Sequence, residues 1–349
     1  MKEMHLIVDL QFGSCGKGLF AGYLAEHMKP DTAICAFGPN AGHTFIDGAG
    51  RKFVNIALPN GIVSPNLKRV LLGPGSVINP ERLIMELNDY ADLLPHVRVM
   101  IHQNAAVVTQ AHRDDEAAYG FKIGSTMKGA GAAVINKIRR DPGQLNVASV
   151  SLRGTPLEPL VVSTQEYNNA VDSADRVLIE GAQGFSLSIN QGMYPYTTSR
   201  DCTVTQVLSD CAIPFGRGTW RNHMVVYGVC RTYPIRVANR FDADGKQIGT
   251  SGPHYHDQRE ITWAEVNGGM EPELTTVTKL PRRVFTFSME QVRQAIRANG
   301  CDKIFLNFLN YMNKEDGRTL AVQIGNLVKP GPEVRYLGYG PTVNDIKEV

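Results

Sequence analysis

Gly13-Ser14-Cys15-Gly16-Lys17-Gly18 lies directly after an apolar run and directly before a helical pattern. Glycines at a strand-to-helix turn let backbone N–H groups face a phosphate, the helix dipole adds positive potential, and Lys17 supplies a full charge. The segment is not a strict Walker A loop: Gln11 stands five positions before Gly16, and Gly18 follows Lys17 where Ser or Thr would meet magnesium. Taken alone, it also fits an ordinary Gly-rich turn. A second cluster, Asn40-Ala41-Gly42-His43-Thr44, follows the next apolar run. Gly42 admits close backbone approach to a ligand, and His43 can act as an acid towards a phosphate oxygen. Glu180-Gly181-Ala182-Gln183-Gly184 repeats the arrangement after a third run. The Gln183 amide both donates and accepts, which suits the edge of a nucleobase.

These clusters need elements to position them. Short apolar runs bounded by Gly, Pro and Asn predict strands over His5–Phe12, Thr32–Phe37, Phe53–Leu58, Val70–Leu72, Val97–His102, Val177–Ile179, Met224–Val229, Ile304–Leu309 and Leu320–Ile324. Runs this continuous suit a parallel sheet covered on both faces. Helices are predicted over Leu19–Lys29, Pro80–Tyr90 and Ser288–Asn299, the last opening on Ser288 and Gln291 and stopping at Gly300. The expected fold is α/β, a mostly parallel central sheet with flanking helices and ligands at the carboxyl ends of strands. The polar stretch 239–256 reads as a loop, and the 349 residues as a single domain with excursions.

Composition narrows the field. With 36 basic and 34 acidic side chains, the net charge of +2 offers no basic face for nucleic acid. No stretch approaches the ~20 apolar residues of a membrane span. The opening MKEMHLIVDLQF leads straight into a strand pattern rather than a signal peptide, so a cytoplasmic protein is expected (host cytoplasm if phage-encoded). Six scattered cysteines without a CxxC pair read as reduced core thiols.

Together the motifs resemble the adenylosuccinate synthetase family along nearly the whole chain. The resemblance rests on 13–18, 40–44, Ile123-Gly124-Ser125-Thr126, 180–184 and Tyr194-Pro195-Tyr196-Thr197-Thr198-Ser199. Such enzymes phosphorylate the 6-oxygen of a purine nucleotide and then displace the phosphate with the amine of aspartate. The resemblance implies a P-loop-like fold, Mg2+ held at Ser14 and the Gly42 backbone, and a homodimer in which Arg140 reaches the monophosphate of the other subunit. It implies catalytic roles for Ser14, Lys17, His43 and Gln183. Nucleotide-monophosphate contacts are implied at Ser14, Asn40, Ala41, Ser125, Thr126, Arg140, Gln183 and Thr198. Donor contacts are implied along Gly13–Gly18 (with Cys15, Gly16 and Gly18), at Gly42, His43, Thr44 and Arg282, along Asn307, Phe308, Leu309 and Asn310, and at Gly338, Tyr339, Gly340 and Pro341. The aspartate loop is implied at Thr275, Thr276, Val277, Thr278 and Arg282, where hydroxyls and arginines would meet two carboxylates.

The chain departs from the family pattern where chemistry is done. The family's Gly-Asp-Glu-Gly-Lys-Gly carries Ser14 and Cys15 here, so the carboxylate that removes the purine N1 proton is absent. Leu280 stands in place of an arginine, and Phe308-Leu309-Asn310 in place of the guanine-reading Lys-Leu-Asp. These departures resemble a phage branch of the family, the 2-aminoadenylosuccinate synthetases, which take dGMP, aspartate and ATP in diaminopurine biosynthesis. A neutral Ser14 leaves room for the guanine 2-amino group, and Leu280 suits a sugar lacking its 2′-hydroxyl. The N1 proton would then go to a triphosphate oxygen or an ordered water. The alternatives are an ordinary IMP-dependent synthetase and a non-catalytic nucleotide-binding relative; a signalling GTPase fits less well without the Lys-x-Asp segment.

Overall fold

The computed structural model describes residues 2–215, 220–267, 269–275 and 280–349, with the side chains of Phe121 and Arg221 left aside. The expected aspartate contacts Thr276, Val277 and Thr278 lie outside the described residues.

Ten strands form one sheet. In chain order they are β1 (Glu3–Asp9), β2 (Thr32–Cys35), β3 (Arg69–Leu72), β4 (Arg98–His102), β5 (Val161–Val162), β6 (Arg176–Glu180), β7 (Met224–Arg231), β8 (Lys303–Asn307), β9 (Glu333–Gly338) and β10 (Ile346–Glu348). Their spatial order is β10-β9-β8-β7-β1-β6-β2-β3-β4-β5. All neighbours are parallel except β9 and β10. Alternation along β1 explains why it sits in the middle: Met4, Leu6, Val8 and Leu10 join one core cluster, and Ile7 joins the other. With both faces covered, no polar side reaches water, which is why the strand reads as an unbroken apolar run.

The chain passes from β1 to β2 and leaves the place between them to β6; after β6 it crosses to β7 on the other side of β1. Crevices outside the carboxyl ends of strands form at such a reversal. Here the loops after β1, β6, β7 and β8 converge. Helix α1 (Lys17–Met28) starts at Gly16, whose φ of 94° is in the left-handed region that a Cβ disfavours.

Two expected strands are placed differently. Leu320–Ile324 belongs to the helix Lys314–Gly325, capped by the Asn313 side chain on Asp316 N–H. Gly317, Leu320 and Ile324 are buried while Val322 is 65% exposed, so the spacing is helical, and a five-residue window was too short to show it. Phe53–Leu58 contributes Lys52–Asn55 to a two-stranded hairpin with His43–Ile46, outside the central sheet. The stretch 239–256 contains the short antiparallel pair Arg240–Phe241 and Gln247–Gly249. All six cysteines are free and buried. No helix among the described residues is long and apolar enough to cross a membrane.

Candidate active site

The loop after β1 is organised from below by Asp9. Its carboxylate is 1% exposed and accepts from the N–H groups of Gln11 (2.8 Å), Gly13 (3.1 Å) and Cys15 (3.1 Å). Lys17 is buried under the same loop: its ammonium lies 3.3 Å from Asp9 Oδ2, 3.3 Å from the Gly13 carbonyl and 2.6 Å from the Gln183 carbonyl. These three contacts match its three protons, and through them Lys17 ties the loops after β1 and β6 together. Gln11, fully buried, accepts from Arg231 N–H and from the Cys15 thiol, and donates to the Arg231 carbonyl. Burial and the nearby Asp9 charge push the Cys15 thiol well up, keeping it a neutral donor.

Asn307, at the carboxyl end of β8, is 3% exposed and donates to the Cys15 carbonyl at 3.1 Å. A Cβ on Gly16 would sit 2.3 Å from that amide nitrogen. Gly16→Ala is therefore expected to displace Asn307 and lower both stability and nucleotide affinity, with a cost of about 1–3 kcal/mol from the φ strain alone. Gly50→Ala is the matched control, since Gly50 also has a positive φ (88°) but meets nothing within 4 Å. Thermal melts of the two variants, with and without ATP, check this; equal shifts would leave no role for the Asn307 contact.

Ser14 differs from its neighbours. Its carbonyl accepts from Arg231 at 3.0 Å, while its side-chain hydroxyl makes no hydrogen bond among the described residues. Across the loop, Gln183 adopts a positive φ of 62°, and Gly184 packs so closely that a Cβ would lie 2.3 Å from Gly13 N. The loops of adjacent strands thus share one surface.

His43 begins the hairpin strand and is 6% exposed. Its Nδ1 lies 2.7 Å from Glu180 Oε1, and its ring stacks on Phe37 at 4.0 Å between centroids. Glu180 is 1% exposed at the end of β6, and its other oxygen accepts from Asn60 N–H at 2.8 Å. A carboxylate on Nδ1 fixes the tautomer and ring plane and leaves Nε2 as the working atom. The residue pair forms a positioned acid–base unit.

The remaining expected residues separate by exposure. Asn40, Ala41, Ser125, Thr126 and Thr198 are half-buried, while Gly42 and Thr44 are exposed. The Thr126 hydroxyl is buried with no partner among the described residues, and Ser125 donates to Glu116 at 2.5 Å. Arg140 is exposed at the end of the helix Ala130–Arg139, its Nε donating only to the Ile138 carbonyl. On the donor side, Phe308 is half-buried with a φ of 61°, Asn310, Tyr339 and Pro341 are exposed, and Gly340 is half-buried. Leu309 and Gly338 are buried. Thr275 pairs with Leu280 at the base of the loop expected to meet aspartate: Thr275 N–H donates to the Leu280 carbonyl at 2.9 Å, and Leu280 N–H to Thr275 Oγ1 at 3.1 Å. Of the two arginines beyond it, Arg283 is committed to Glu260 (2.6 and 2.8 Å). Arg282 is half-buried and has no carboxylate in an ion pair with it among the described residues. Burial lowers its pKa, Glu273 opposing and Arg231 adding to the shift.

A profile of the adenylosuccinate synthetase family matches residues 6–153 and 144–325. The chain belongs to the adenylosuccinate synthetase family. It is 48% identical to the N6-succino-2-amino-2'-deoxyadenylate synthase of Salmonella phage PMBT28, over 99% of this chain and 97% of that relative. The succinoaminodeoxyadenylate synthetase of cyanophage S-2L, solved with dGMP and dATP, superposes with a TM-score of 0.90 at 44% identity, covering 100% of this chain and 95% of that one. The fully ligated adenylosuccinate synthetase of Plasmodium falciparum shares the fold, with a TM-score of 0.78 at 20% identity over 99% of both chains.

Sequence reading missed Asp9, Asn60, Arg231 and Glu273, and gave Glu180 no role. Asp9 and Arg231 each close an apolar strand on a charge, which was a readable signal: a charged residue ending a buried strand must find a partner. Asn60 carried none, because its contact with Glu180 spans 120 residues.

Proposed function

We propose that this enzyme joins L-aspartate to C6 of dGMP with ATP or dATP as phosphate donor, giving 2-amino-2'-deoxy-N6-succinyladenylate, the diphosphate and phosphate. The observation that carries the reading is Ser14, a small neutral side chain with an uncommitted hydroxyl where the family pattern has a carboxylate. The relatives' names and the nucleotides in the cyanophage structure support it.

In the first half-reaction the 6-oxygen attacks the γ-phosphorus, the bond to the leaving diphosphate breaks, and the N1 proton passes to a triphosphate oxygen or an ordered water. With Nδ1–H donating to Glu180, a protonated His43 would offer Nε2–H as the hydrogen-bond donor and acid towards the transferring group. Ser14 Oγ orders the acceptor of the N1 proton, and Gln183 fits the purine edge. In the second half-reaction the aspartate amine attacks C6, and the C6–O bond breaks with loss of phosphate. Arg282 and the Thr275 loop receive the aspartate carboxylates.

The family implies Mg2+. Among the described residues no group of three or more His, Cys, Asp or Glu could hold a metal. A magnesium with few protein ligands, taking the rest from phosphates and water, fits that composition. The exposed Gly42 backbone and the unpartnered Ser14 hydroxyl are the candidate contacts. When bound it would neutralise charge on the triphosphate.

The enzyme acts as a homodimer with Arg140 completing the neighbour's site. Arg140 projects from a helix end beside Ile135 (43% exposed), Ile138 (66%) and Leu145 (50%), an apolar face suited to a second copy. Arg140→Ala is expected to raise the dGMP KM about tenfold or more, with the ATP KM nearly unchanged. Mixing that variant with His43→Ala should restore part of the activity, because one hybrid site regains both groups. Verified subunit exchange without complementation would rule out the shared site.

Mass spectrometry of products from dGMP, aspartate and ATP, with phosphate release measured in parallel, tests the whole reading. Faster turnover of IMP than of dGMP, or of GTP than of ATP as donor, would overturn it. Asn310, where the family has a carboxylate, lacks the charge that pairs with guanine N1–H and N2–H.

A further inference from the structure

Arg231 ends β7 with a guanidinium that is 1% exposed, among the largest fully buried side chains in the protein. It touches three segments at once. Nη1 donates to the Ser14 carbonyl at 3.0 Å and to Glu273 Oε2 at 3.3 Å, and Nη2 pairs with Glu273 Oε1. Its Cζ lies over the Phe308 ring, 3.8 Å from the centroid. Tyr311 donates to the same Glu273 oxygen at 3.1 Å and packs edge-on against Phe308. The Arg231 backbone is fixed in turn by Gln11, and the next residue, Thr232, donates its hydroxyl to the Phe308 carbonyl at 2.8 Å.

Each contacted segment leads to a different substrate. Ser14 lies on the loop that faces the purine and the phosphates. Glu273 leads through Leu274, which forms an isolated antiparallel bridge with Pro281, to Thr275, and its carbonyl accepts from Arg282 N–H at 2.8 Å at the base of the expected aspartate loop. Phe308 opens the segment at the donor base. We infer that Arg231 is the positioning residue that holds the acceptor, aspartate and donor subsites in register; the naming of those subsites rests on the function proposed above.

A planar fork suits this task and an ammonium does not, because one guanidinium can bond along two edges while stacking on a ring. Stability alone is a weak reason for the arrangement, since buried ion pairs are often replaceable by apolar residues without loss. The Arg231 Nε is also buried and has no hydrogen-bond partner among the described residues. Burial pushes the Glu273 carboxyl up, but the Arg231 charge and its hydrogen bonds outweigh this and hold it below the usual carboxylate range.

Three variants separate positioning from general support. Arg231→Lys keeps a charge for Glu273 but loses the fork and the stack. Glu273→Gln loosens only the aspartate side, and Phe308→Leu only the donor side. Arg231→Lys is expected to lower kcat about tenfold and raise the KM of both ATP and aspartate about fivefold. Glu273→Gln should raise the aspartate KM about fivefold and Phe308→Leu the ATP KM about fivefold, each leaving the other constant within about twofold. Melting temperatures are recorded for all three, so a variant that fails to fold is recognised and the other two still decide. Wild-type constants within about twofold for Arg231→Lys would overturn the inference. So would Glu273→Gln and Phe308→Leu each shifting every KM in step with a fallen melting temperature. Wild-type turnover of dGMP against IMP is measured first; if IMP proves the better acceptor, the proposed function fails while the three variants, assayed with IMP, still test Arg231.

Discussion

Replacing His43 by alanine is expected to lower kcat by about 10²- to 10⁴-fold, the range for a positioned general acid–base group, with smaller changes in either nucleotide KM. The geometry behind this is specific. His43 Nδ1 is 2.7 Å from Glu180, and Glu180 is 1% exposed and further held by Asn60. The imidazole therefore cannot turn, and Nε2 meets the developing charge without reorganising in the transition state. Glu180→Gln tests the same unit from the other end. An amide can accept from Nδ1–H but cannot stabilise an imidazolium, so kcat should fall about 10- to 100-fold while the fold persists. Steady-state kinetics with melting curves settles both. Turnover within about twofold of wild type in His43→Ala would remove the residue from the chemistry.

Ser14→Asp is expected to impair dGMP turnover by about 10²-fold or more, although it restores a far better base. The 2-amino group of guanine adjoins N1, the atom whose proton must leave. A carboxylate there would crowd that amine or pair with N1–H and N2–H together, shifting the base out of line with the γ-phosphate, and misplacement by ~1 Å can cost about 10²-fold. The loop cannot yield to make room. The Ser14 carbonyl is held by Arg231, and the amides of Gly13 and Cys15 on either side are held by Asp9. In the same variant IMP, which lacks the amine, should gain relative to dGMP, and the ratio of kcat/KM for the two acceptors is the quantity to measure. A site built to pair a substrate amine rejects the analogue lacking it by large factors, so wild type should strongly favour dGMP. Improved dGMP turnover in Ser14→Asp would return the enzyme to the general IMP-dependent reading.

Much of the candidate site was legible because its segments are local. The Gly-rich segment from Gly13 to Gly18, the 40–44 and 180–184 clusters and the family they resemble all lie within short windows. Each follows an apolar run whose parallel-strand character burial confirms: Leu6, Ile34 and Ile179 are all 0% exposed. Periodicity failed where a window held too few residues to separate a strand from a helix, as at 320–324, and where strands were very short, as at 161–162 and 346–348.

By itself, then, the sequence determined the α/β class, the family and the identity of the side chains that replace the family's base. Only the tertiary structure decided what those side chains can do. Lys17 is expected from its loop to meet phosphate, and the fold adds contacts of its ammonium with Asp9, Gly13 and Gln183, the last 166 residues away. His43 is joined to Glu180 across 137 residues, and Arg231 to Ser14 across 217. The reason is physical: local pattern reports which face of an element is apolar, whereas the pairing of buried charges depends on which strands become neighbours. That order is set when β6 takes the place between β1 and β2 and brings their carboxyl ends together.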